Sequence, residues 1–416
     1  TSFSGLSVAS TFCENTMFFE KLPDILKDSK NNARKFEKSQ TVKAVLHASV
    51  CGVNRMSNIS KFTADSLVKE ILNLDKQINP NALRKCLDKI CLDKENVNIC
   101  KLIKENNSFF LEKSGLSEIT LDVDSTVFNV FGNQENAKKG YNPIKKGAKS
   151  YHPILAFVSE LQLLYHTDFR PGDAYTASGT LEMLSEIRKS LPDTVKKVFF
   201  RADSGFFDGK IFDTLEEEDC QWDYLVKVKL KNIKTNFNKC EWTKHSPTVS
   251  FSSFKHKPKT WKKARTFKVI RTQTGVEKYP FMGTIVEIPI YVYSCYISNY
   301  DKKSAIELHD LYKQRAVSET WIEQVKSQLK AGKTLTESYE VNALLWQLSC
   351  FAYNLSKQFR AESPKIFREE HRSFLEWFIK VPGIVWTQDS EILIISAKNY
   401  LYRERWERFA HKHKAA

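Results

Sequence analysis

Apolar residues recur every three or four positions through the first quarter of the chain. The pattern is clearest in Thr41–Cys51 and Ser66–Leu74, and polar breaks such as Asn79-Pro80-Asn81 separate the periodic segments. A repeat of three to four residues places the apolar side chains on one side of an α-helix. We therefore predict a helical region over residues 1 to about 115.

The pattern changes at Ile119. Ile119–Asp124 alternates apolar and polar residues, which is typical of a strand with one wet face. Val195–Asp203 and Tyr224–Leu230 are further strand-like runs, and a helical pattern at Gly179–Leu191 precedes them. Strands followed by strand–helix–strand units predict a mixed sheet with helices on its faces, which is an α/β fold.

The alternation breaks again between residue 231 and about residue 287. From Tyr224 to Tyr300 there are 15 Lys and Arg residues against three acids, so this stretch is predicted to be a basic, β-rich insertion. A long helix over about Lys303–Ala331 and a second over Ser338–Glu362 follow. A final hairpin is predicted around Gln388-Asp389-Ser390.

Composition predicts the kind of partner that this chain binds. The 416 residues carry 64 Lys and Arg against 49 Asp and Glu, a net charge of +15, which predicts attraction to a polyanion and to nucleic acid first. The nine cysteines have no zinc-site spacing and suggest reduced thiols. The longest apolar stretch, Val341–Leu355, is too short to span a bilayer. We expect a soluble intracellular protein without a membrane partner, cytoplasmic in a bacterium or nuclear in a eukaryotic host.

Two aspartates stand where predicted strands end. Asp124 is followed by Ser125-Thr126, and Asp203 by Ser204-Gly205. Functional groups collect at the carboxyl ends of strands in sheets flanked by helices. An Asp before Ser or Gly is also a common turn or N-cap residue, so each Asp alone has a purely structural explanation. Asp122 points to the same face of the strand as Asp124 and is an alternative to it.

The predicted helix over 303–331 carries a polar stripe about 80° wide. The stripe comprises Tyr312, Arg315, Glu319, Glu323 and Lys326, and the opposite side carries Val317, Trp321 and Val325. Salt bridges on an exposed face explain the charged residues but not the tyrosine that begins the row. We expect the stripe to face a cleft, with Glu319 or Glu323 as a third carboxylate.

Two aspartates and a glutamate provide the hard oxygen ligands that Mg²⁺ and Mn²⁺ prefer. A pair of such ions activates the attacking oxygen and stabilises the leaving oxygen in phosphoryl transfer. Arg315 and Lys326 would then hold phosphates beside the carboxylates.

These residues resemble a known family. The spacing Tyr312-x2-Arg315-x3-Glu319-x6-Lys326 matches the Tyr-(2)-Arg-(3)-Glu-(6)-Lys signature of DDE-type insertion-sequence transposases. Further motifs resemble the IS-thirteen-eighty branch of the IS-four superfamily. They are Leu121–Thr126, Gly140-Tyr141, His152-Pro153, Arg170-Pro-Gly172, Arg201–Phe206, Val381–Ile384 and Tyr402-Arg403. The resemblance covers about residues 35 to 410.

The resemblance implies a ribonuclease-H-like catalytic core in which Asp124, Asp203 and Glu319 hold two Mg²⁺ ions, with Mn²⁺ able to substitute. Asp124 is preferred to Asp122 because it precedes Ser-Thr, and the signature spacing selects Glu319 over Glu323. The residues implied or proposed as DNA contacts are Tyr312, Arg315, Lys326, Tyr291, Trp242, Trp261, Lys145 and Lys146. Among these, Tyr291 is the first candidate for stacking a flipped base, with Trp242 and Trp261 behind it.

The pattern and the resemblance together divide the chain into five parts. We expect a helical DNA-binding or dimer region (1–115), the first part of the catalytic core (116–230), the basic β-rich insertion (231–287), the end of the core with the Glu319 helix (288–335), and a C-terminal helical region with a small hairpin (336–416).

The function implied is a cut-and-paste DNA transposase that acts as a homodimer on transposon ends and target DNA, with no small-molecule substrate. Two alternatives stay open at the level of sequence. One is a ribonuclease-H-fold nuclease that cuts without joining, and the other is a non-catalytic DNA-binding descendant. The presence of all three acids argues against the second.

Overall fold

The computed structural model describes residues 1–27, 36–143, 145–361, 368–388 and 391–413. The turn expected at Asp389-Ser390 lies outside these residues, although strands on either side of it are described. Within this part of the chain, no helix is both long and apolar enough to cross a bilayer.

The described residues of the N-terminal region form seven helices, and the prediction of a helical region there is confirmed. They are α1 (Leu6–Glu14), α2 (Met17–Ile25), α3 (Lys38–Val50), α4 (Met56–Phe62), α5 (Ser66–Ile71), α6 (Pro80–Leu92) and α7 (Glu95–Lys113). The polar break before α6 is its start signal, because the Asn79 side chain accepts a hydrogen bond from the Ala82 N–H at 2.8 Å and Pro80 occupies the first turn.

The centre of the molecule is a nine-stranded mixed sheet. Its strands are β1 (Glu118–Ser125), β5 (Ile154–Val158), β6 (Leu163–Asp168), β7 (Lys197–Ala202), β8 (Asp223–Lys227), β9 (Thr243–Lys244), β10 (Val249–His256), β11 (Arg265–Phe281) and β12 (Thr284–Ser298), in the order β6-β5-β1-β7-β8-β12-β11-β10-β9. β5 and β6 run antiparallel to their neighbours, whereas β7 and β8 run parallel to β1. A separate small sheet comprises β2 (Phe128–Asn129), β3 (Lys138–Lys139) and β4 (Lys149–Tyr151).

The alternation along β1 divides the two faces of this sheet. Leu121 and Val123 join the apolar cluster beneath α8 (Thr180–Ser190) and α9 (Gly209–Leu215), whereas Asp122 and Asp124 lie on the opposite face. The helices that follow the sheet, α11 (Ala305–Lys313) and α12 (Ala316–Glu323), cover that opposite face, where Arg315 contacts Asp124 and Trp321 packs against Phe157. The carboxylates of β1 therefore point toward the helix that carries Glu319.

The strands of the predicted basic insertion extend the same sheet. After the short α10 (Lys234–Phe237), β10, β11 and β12 pair in sequence, and β12 returns beside β8 at Tyr296–Ser298. Because β11 and β12 are 17 and 15 residues long, they continue as a two-stranded hairpin beyond the strands that flank them. We call residues 273–292 of this hairpin the arm.

The predicted long helix over 303–331 is interrupted, and this detail of the prediction is wrong. The structure has α11 (Ala305–Lys313), a break at Gln314-Arg315, α12 (Ala316–Glu323) and a π-helical turn at Gln324–Gln328. The face is also rotated, since Val317 is 51% exposed whereas Ser318 is fully buried. The buried side is made by Trp321, Ile322, Val325 and Leu329.

The two ends of the chain share one core, which the sequence pattern did not indicate. The long helix α13 (Tyr339–Ala361) packs against α3 and β6, and the apolar cluster around it takes residues from both termini. Trp346 donates its indole N–H to Thr167 on β6 at 3.0 Å. The remaining elements of the described residues are α14 (His371–Phe374), β13 (Gly383–Gln388), β14 (Glu391–Ser396) and α15 (Arg403–His413).

A buried ion pair joins the two central strands. The Arg201 guanidinium on β7 donates from Nε to Asp122 Oδ1 at 2.7 Å and from Nη2 to Oδ2 at 2.8 Å. The Ser159 hydroxyl donates to Asp122 at 2.6 Å, and Arg201 also donates to the Leu311 carbonyl at the end of α11. Asp122 is 0% exposed and Arg201 3%, so neither charge has water as a substitute partner.

We expect Asp122→Asn to destabilise the fold by about 3 kcal/mol or more, because it leaves the Arg201 charge buried without a counterion. Urea unfolding measures the change. Glu118→Gln is the matched control, since Glu118 pairs with Lys197 across the same two strands but in solvent, where an ion pair contributes little. Equal losses for the two variants would contradict a structural role for the buried pair.

Candidate active site

The parallel register of β1 and β7 places the two predicted aspartates side by side. Val123 lies opposite Ala202, so Asp124 and Asp203 occupy the next position on each strand. Adjacent strands in a sheet are about 4.8 Å apart, which brings the two carboxylates to one point on the sheet edge. Neither aspartate alone could show this, because it depends on which strands pair.

Asp203 is held by the turn that follows β7. Its Oδ1 accepts a hydrogen bond from the Gly205 N–H at 2.8 Å and caps the short 3₁₀ turn Ser204–Phe206. A β-carbon on Gly205 would lie 2.5 Å from the Thr176 methyl group and 2.9 Å from Asp203 Oδ1. The glycine therefore allows the turn to close around the carboxylate. The geometry is compatible with Asp203 both as a cap of the turn and as a residue of the site.

Arg315 is the residue of the helical segment that reaches Asp124. Its Nη2 lies 2.7 Å from Asp124 Oδ2, and the residue is only 5% exposed. The Arg315 N–H groups nevertheless do not form a hydrogen bond with Asp124, since among the described residues neither Nε nor Nη2 of Arg315 has a hydrogen-bond partner. A buried guanidinium with unused donors is suited to a further anion such as a phosphate.

Glu319 lies one turn beyond Arg315 on α12 and is exposed. The pKa of Asp124 rises to about 6, first because the carboxyl is buried and then because Asp203 and Glu319 carry negative charge nearby. Glu319 is therefore electrostatically coupled to Asp124. Arg315 and the Ser125 N–H oppose that rise. Three carboxylates against one arginine leave an excess of negative charge at the sheet edge.

The structure separates Asp122 from Asp124. Both oxygens of Asp122 accept hydrogen bonds from Arg201, whereas the Asp124 side chain keeps 15% of its surface exposed and faces Arg315. Asp122 is therefore engaged in the fold, and Asp124 is the carboxylate of β1 that is open to a ligand.

The other two signature residues border the same site. Tyr312 packs against Tyr296 with ring centroids 5.1 Å apart and ring planes tilted by 48°. Burial first, and then the nearby acids, raise the pKa of Tyr312 to about 12. The Lys326 ammonium donates to the Val127 carbonyl and lies 3.4 Å from the Thr126 hydroxyl, in the segment that follows Asp124. Burial lowers the pKa of Lys326.

The sequence motifs around His152 form a support for this segment that residue-by-residue reasoning missed. His152 Nδ1 lies 3.0 Å from the Ala174 carbonyl, which can only accept, so Nδ1 carries the proton and Nε2 accepts from the Ser125 hydroxyl at 3.0 Å. Burial and the Arg170 charge lower the pKa of His152 and keep it neutral. Arg170 in turn donates to the His152 carbonyl at 2.8 Å. The signal was present as separate motifs, but only the fold shows that they meet beside Asp124.

The predicted DNA-contacting aromatics have different surroundings. Trp242 and Tyr291 enclose the Arg271 guanidinium, whose carbon lies 4.3 Å and 4.6 Å from the two ring centroids. Trp261 is only 8% exposed and packs against Phe207 with centroids 5.2 Å apart. In this structure Trp261 belongs to the core and offers no surface for a base, so it is not retained as a stacking residue.

Lys145 and Lys146 are exposed in the loop between β3 and β4. The Lys145 ammonium lies 5.6 Å from the ring centroid of Phe131, another exposed residue. Within the described part of the chain, neither lysine forms an ion pair. The loop belongs to the small sheet of β2, β3 and β4, which follows Thr126 and Val127 along the chain.

The donor chemistry of the site suits Mg²⁺ or Mn²⁺, although the side chains are not arranged around one. In the described residues, no three Asp, Glu, His or Cys side chains converge closely enough to hold an ion. The reason lies at Asp124, whose Oδ2 is in contact with Arg315. Mg²⁺ is usually held by one or two carboxylates and by substrate phosphates, so two aspartates and unused arginine donors fit such a group.

The sequence matches the family described as Transposase DDE domain group 1 over residues 1–414. That match spans nearly the whole chain, and the chain belongs to this family of DDE transposase domains.

No curated protein matches the sequence. Among solved structures, the piggyBac transposase synaptic complex with hairpin DNA aligns over 90% of this chain and 78% of that chain, with 10% identity and a TM-score of 0.46. The Mos1 strand transfer complex aligns over 48% of this chain and 60% of that chain, with 13% identity and a TM-score of 0.18.

We expect Asp124→Asn to stabilise the metal-free protein at pH 7.5. A carboxyl whose pKa rises from about 4 in the unfolded chain to about 6 in the fold stabilises the fold while it is protonated. That contribution, up to about 3 kcal/mol, is present below pH 4 and is lost as the pH rises through 6. Urea unfolding should therefore show a gain for the variant at pH 7.5 and none at pH 4. A loss of stability at pH 7.5 would show that Arg315 more than compensates the buried charge.

Proposed function

We propose that this chain is an active DNA transposase that cleaves the ends of a mobile element by phosphoryl transfer and joins the 3′-hydroxyl ends to target DNA. The observation that carries the proposal is the adjacency of Asp124 and Asp203 at the ends of two parallel strands, with Glu319 electrostatically coupled to them. Membership of the DDE transposase family supports it.

In the proposed mechanism Asp124, Asp203 and Glu319 hold two Mg²⁺ ions, for which Mn²⁺ can substitute. When bound, the metal pair activates the attacking oxygen and stabilises the leaving one. Arg315 leaves Asp124 and turns its unused donors to a phosphate of the strand that is cut. Asp203 keeps its orientation because the Gly205 N–H holds one of its oxygens.

Lys326 and Tyr312 frame the path of the DNA in this proposal. Lys326 is anchored to the segment that follows Asp124, so its charge stays beside the site. His152 acts as a positioning residue, because its hydrogen bond with Ser125 fixes the residue next to the first carboxylate.

The finer assignment is a ribonuclease-H-like core of the IS-thirteen-eighty branch. The core assignment is supported by the strand order β6-β5-β1-β7-β8, in which neighbours among the first three strands are antiparallel and the last two strands run parallel to β1. The branch assignment is supported by the sequence motifs around His152 and Arg170. The partners proposed are double-stranded transposon ends and target DNA, with a homodimer as the working form. Tyr291, Trp242 and the intervening Arg271 are proposed to contact bases near the cut, and the N-terminal helices to bind DNA or the second subunit.

Asp203→Ala should lower DNA cleavage by a factor on the order of 10³ or more, since it removes a ligand that acts in the transition state. The assay uses a plasmid that carries the coding sequence with its native flanking DNA, purified protein and Mg²⁺. Cleavage and joining are read separately, by nicking and by insertion into a second plasmid.

Glu323→Ala is the matched control, because Glu323 lies one turn after Glu319 on α12, also exposed. We expect Glu319→Ala to abolish cleavage and Glu323→Ala to preserve it. Full activity of Asp203→Ala would overturn the proposal. Cleavage without insertion under every condition would replace the transposase by a nuclease.

Replacing both Lys145 and Lys146 by Ala should weaken DNA binding to a similar degree for every sequence tested. Each lysine that neutralises a phosphate adds about one to the slope of log affinity against log salt, so the slope should fall by about two. Fluorescence anisotropy at several salt concentrations measures it. An unchanged slope would place these lysines outside the DNA path.

A further inference from the structure

The arm, residues 273–292, is an apolar hairpin that projects from the sheet edge carrying the candidate active site. β8 runs parallel to β1 and β7, and β12 pairs with it only at Tyr296–Ser298. The arm therefore begins beyond the carboxyl end of β8. β10 pairs with β11 only as far as Thr272, so within the described residues no further strand covers either side of the arm.

One face of the arm is mostly apolar, and its one charged residue is Glu277, which lies opposite Ile288 and accepts a hydrogen bond from the Tyr279 hydroxyl. Val286, Ile288, Ile290 and Val292 alternate along β12, and the register places Tyr279 opposite Val286 on the same face. Phe281 extends this face at the tip. These six side chains are 40–59% exposed. We call them the arm face.

The size of the arm face suggests a protein contact. Six large side chains with about half of their surface exposed present on the order of 500 Å², which is the size of patches that are often functional on monomers. Two such faces together would bury about 1,000 Å², the lower bound for a specific interface between proteins.

The charge of the arm argues against nucleic acid as its partner. Of the 15 Lys and Arg residues between Tyr224 and Tyr300, only Lys278 lies in the arm, whereas two of the three acids, Glu277 and Glu287, do. Lys278 and Glu287 pair with each other at 2.9 Å. Binding to phosphates requires cations that the arm lacks, whereas interface centres are depleted of charge.

The edges of the arm disfavour strand addition. Each strand of the arm carries one proline, Pro280 on β11 and Pro289 on β12. Pro280 pairs with Ile285 and Pro289 pairs with Val276, so the two prolines lie four residues apart along the hairpin. A proline has no N–H for an incoming strand, and edge prolines prevent such pairing. The face, rather than an edge, is left as the binding surface.

We propose that the arm face binds the arm face of a second copy of this chain around a two-fold axis. Apart from Glu277, whose carboxylate accepts from the Tyr279 hydroxyl, the arm face is apolar and can pack against itself, and a two-fold contact uses the same patch on both subunits. The arm face continues on β12 toward Tyr296, which contacts Tyr312 beside the candidate site. The contact would therefore bring two active sites toward each other, and this consequence rests on the proposed function.

Sedimentation of the full chain without DNA or metal, from 1 to 100 µM, tests the proposal. We expect a concentration-dependent dimer. Ile288→Lys, on the arm face, should weaken dimerisation at least tenfold. Ile285→Lys is the matched control, because Ile285 lies on the same strand and is 71% exposed but points to the opposite face, and it should change dimerisation less than twofold.

A protein that stays monomeric at 100 µM would overturn the proposal, as would equal effects of the two lysine variants. Because both positions are exposed, thermal unfolding should be unchanged and misfolding is separable from lost contact. A photo-crosslinking residue provides an independent readout, since position 288 should link two chains of equal mass and position 285 should not.

The same proteins separate this proposal from the proposed function. Asp203→Ala should dimerise normally and fail to cleave DNA. If Ile288→Lys abolishes the dimer while no protein of the set cleaves DNA, the arm contact stands and the transposase proposal fails. If DNA is cleaved and the dimer is insensitive to Ile288→Lys, the arm proposal alone fails.

Discussion

The parallel pairing of β1 with β7 is the constraint on which the site depends. One register brings Asp122 opposite Arg201 and sets Asp124 beside Asp203. A shift by one residue would turn each acid to the other face of the sheet and break the buried ion pair at the same time. The ion pair between Asp122 and Arg201 thus disfavours every register in which the two site carboxylates are separated. Fold and site are fixed by the same few residues.

Local patterns were enough to predict the elements but not their associations. Asn79-Pro80 marks the start of α6, and the alternation at 119–124 marks β1, because caps and side-chain periods are properties of short segments. The shared core of α3 and α13 joins residues about 300 positions apart, and no local period records such a contact. For the same reason, the strands of the basic segment looked like an insertion although they complete the central sheet.

The candidate site shows the same division. Spacing alone placed Tyr312, Arg315, Glu319 and Lys326 together. An even helical period predicted that Arg315 lies on the open face of the helix, toward a cleft, and that Val317 faces the core. The break at Gln314-Arg315 and the π-helical turn change the rotation of the helix, so Arg315 is buried against Asp124 and Val317 is exposed. The sequence could not decide which of Asp122 and Asp124 belongs to the site, because both side chains lie on the same face of β1. The structure distinguishes them by their partners, since Asp122 is bound by Arg201 and Asp124 faces Arg315.

The excess of negative charge at the sheet edge links stability to chemistry. Asp124 is costly to ionise in the fold, since burial and the neighbouring acids outweigh Arg315. A cation that enters between the carboxylates would reduce this cost and release Arg315 for a phosphate. The electrostatic cost in the free protein would thus be reduced by the ligands of the proposed reaction, whereas a site already balanced by salt bridges would bind them weakly. Stability lost at Asp124 is, on this account, the energetic counterpart of the metal and DNA binding proposed there.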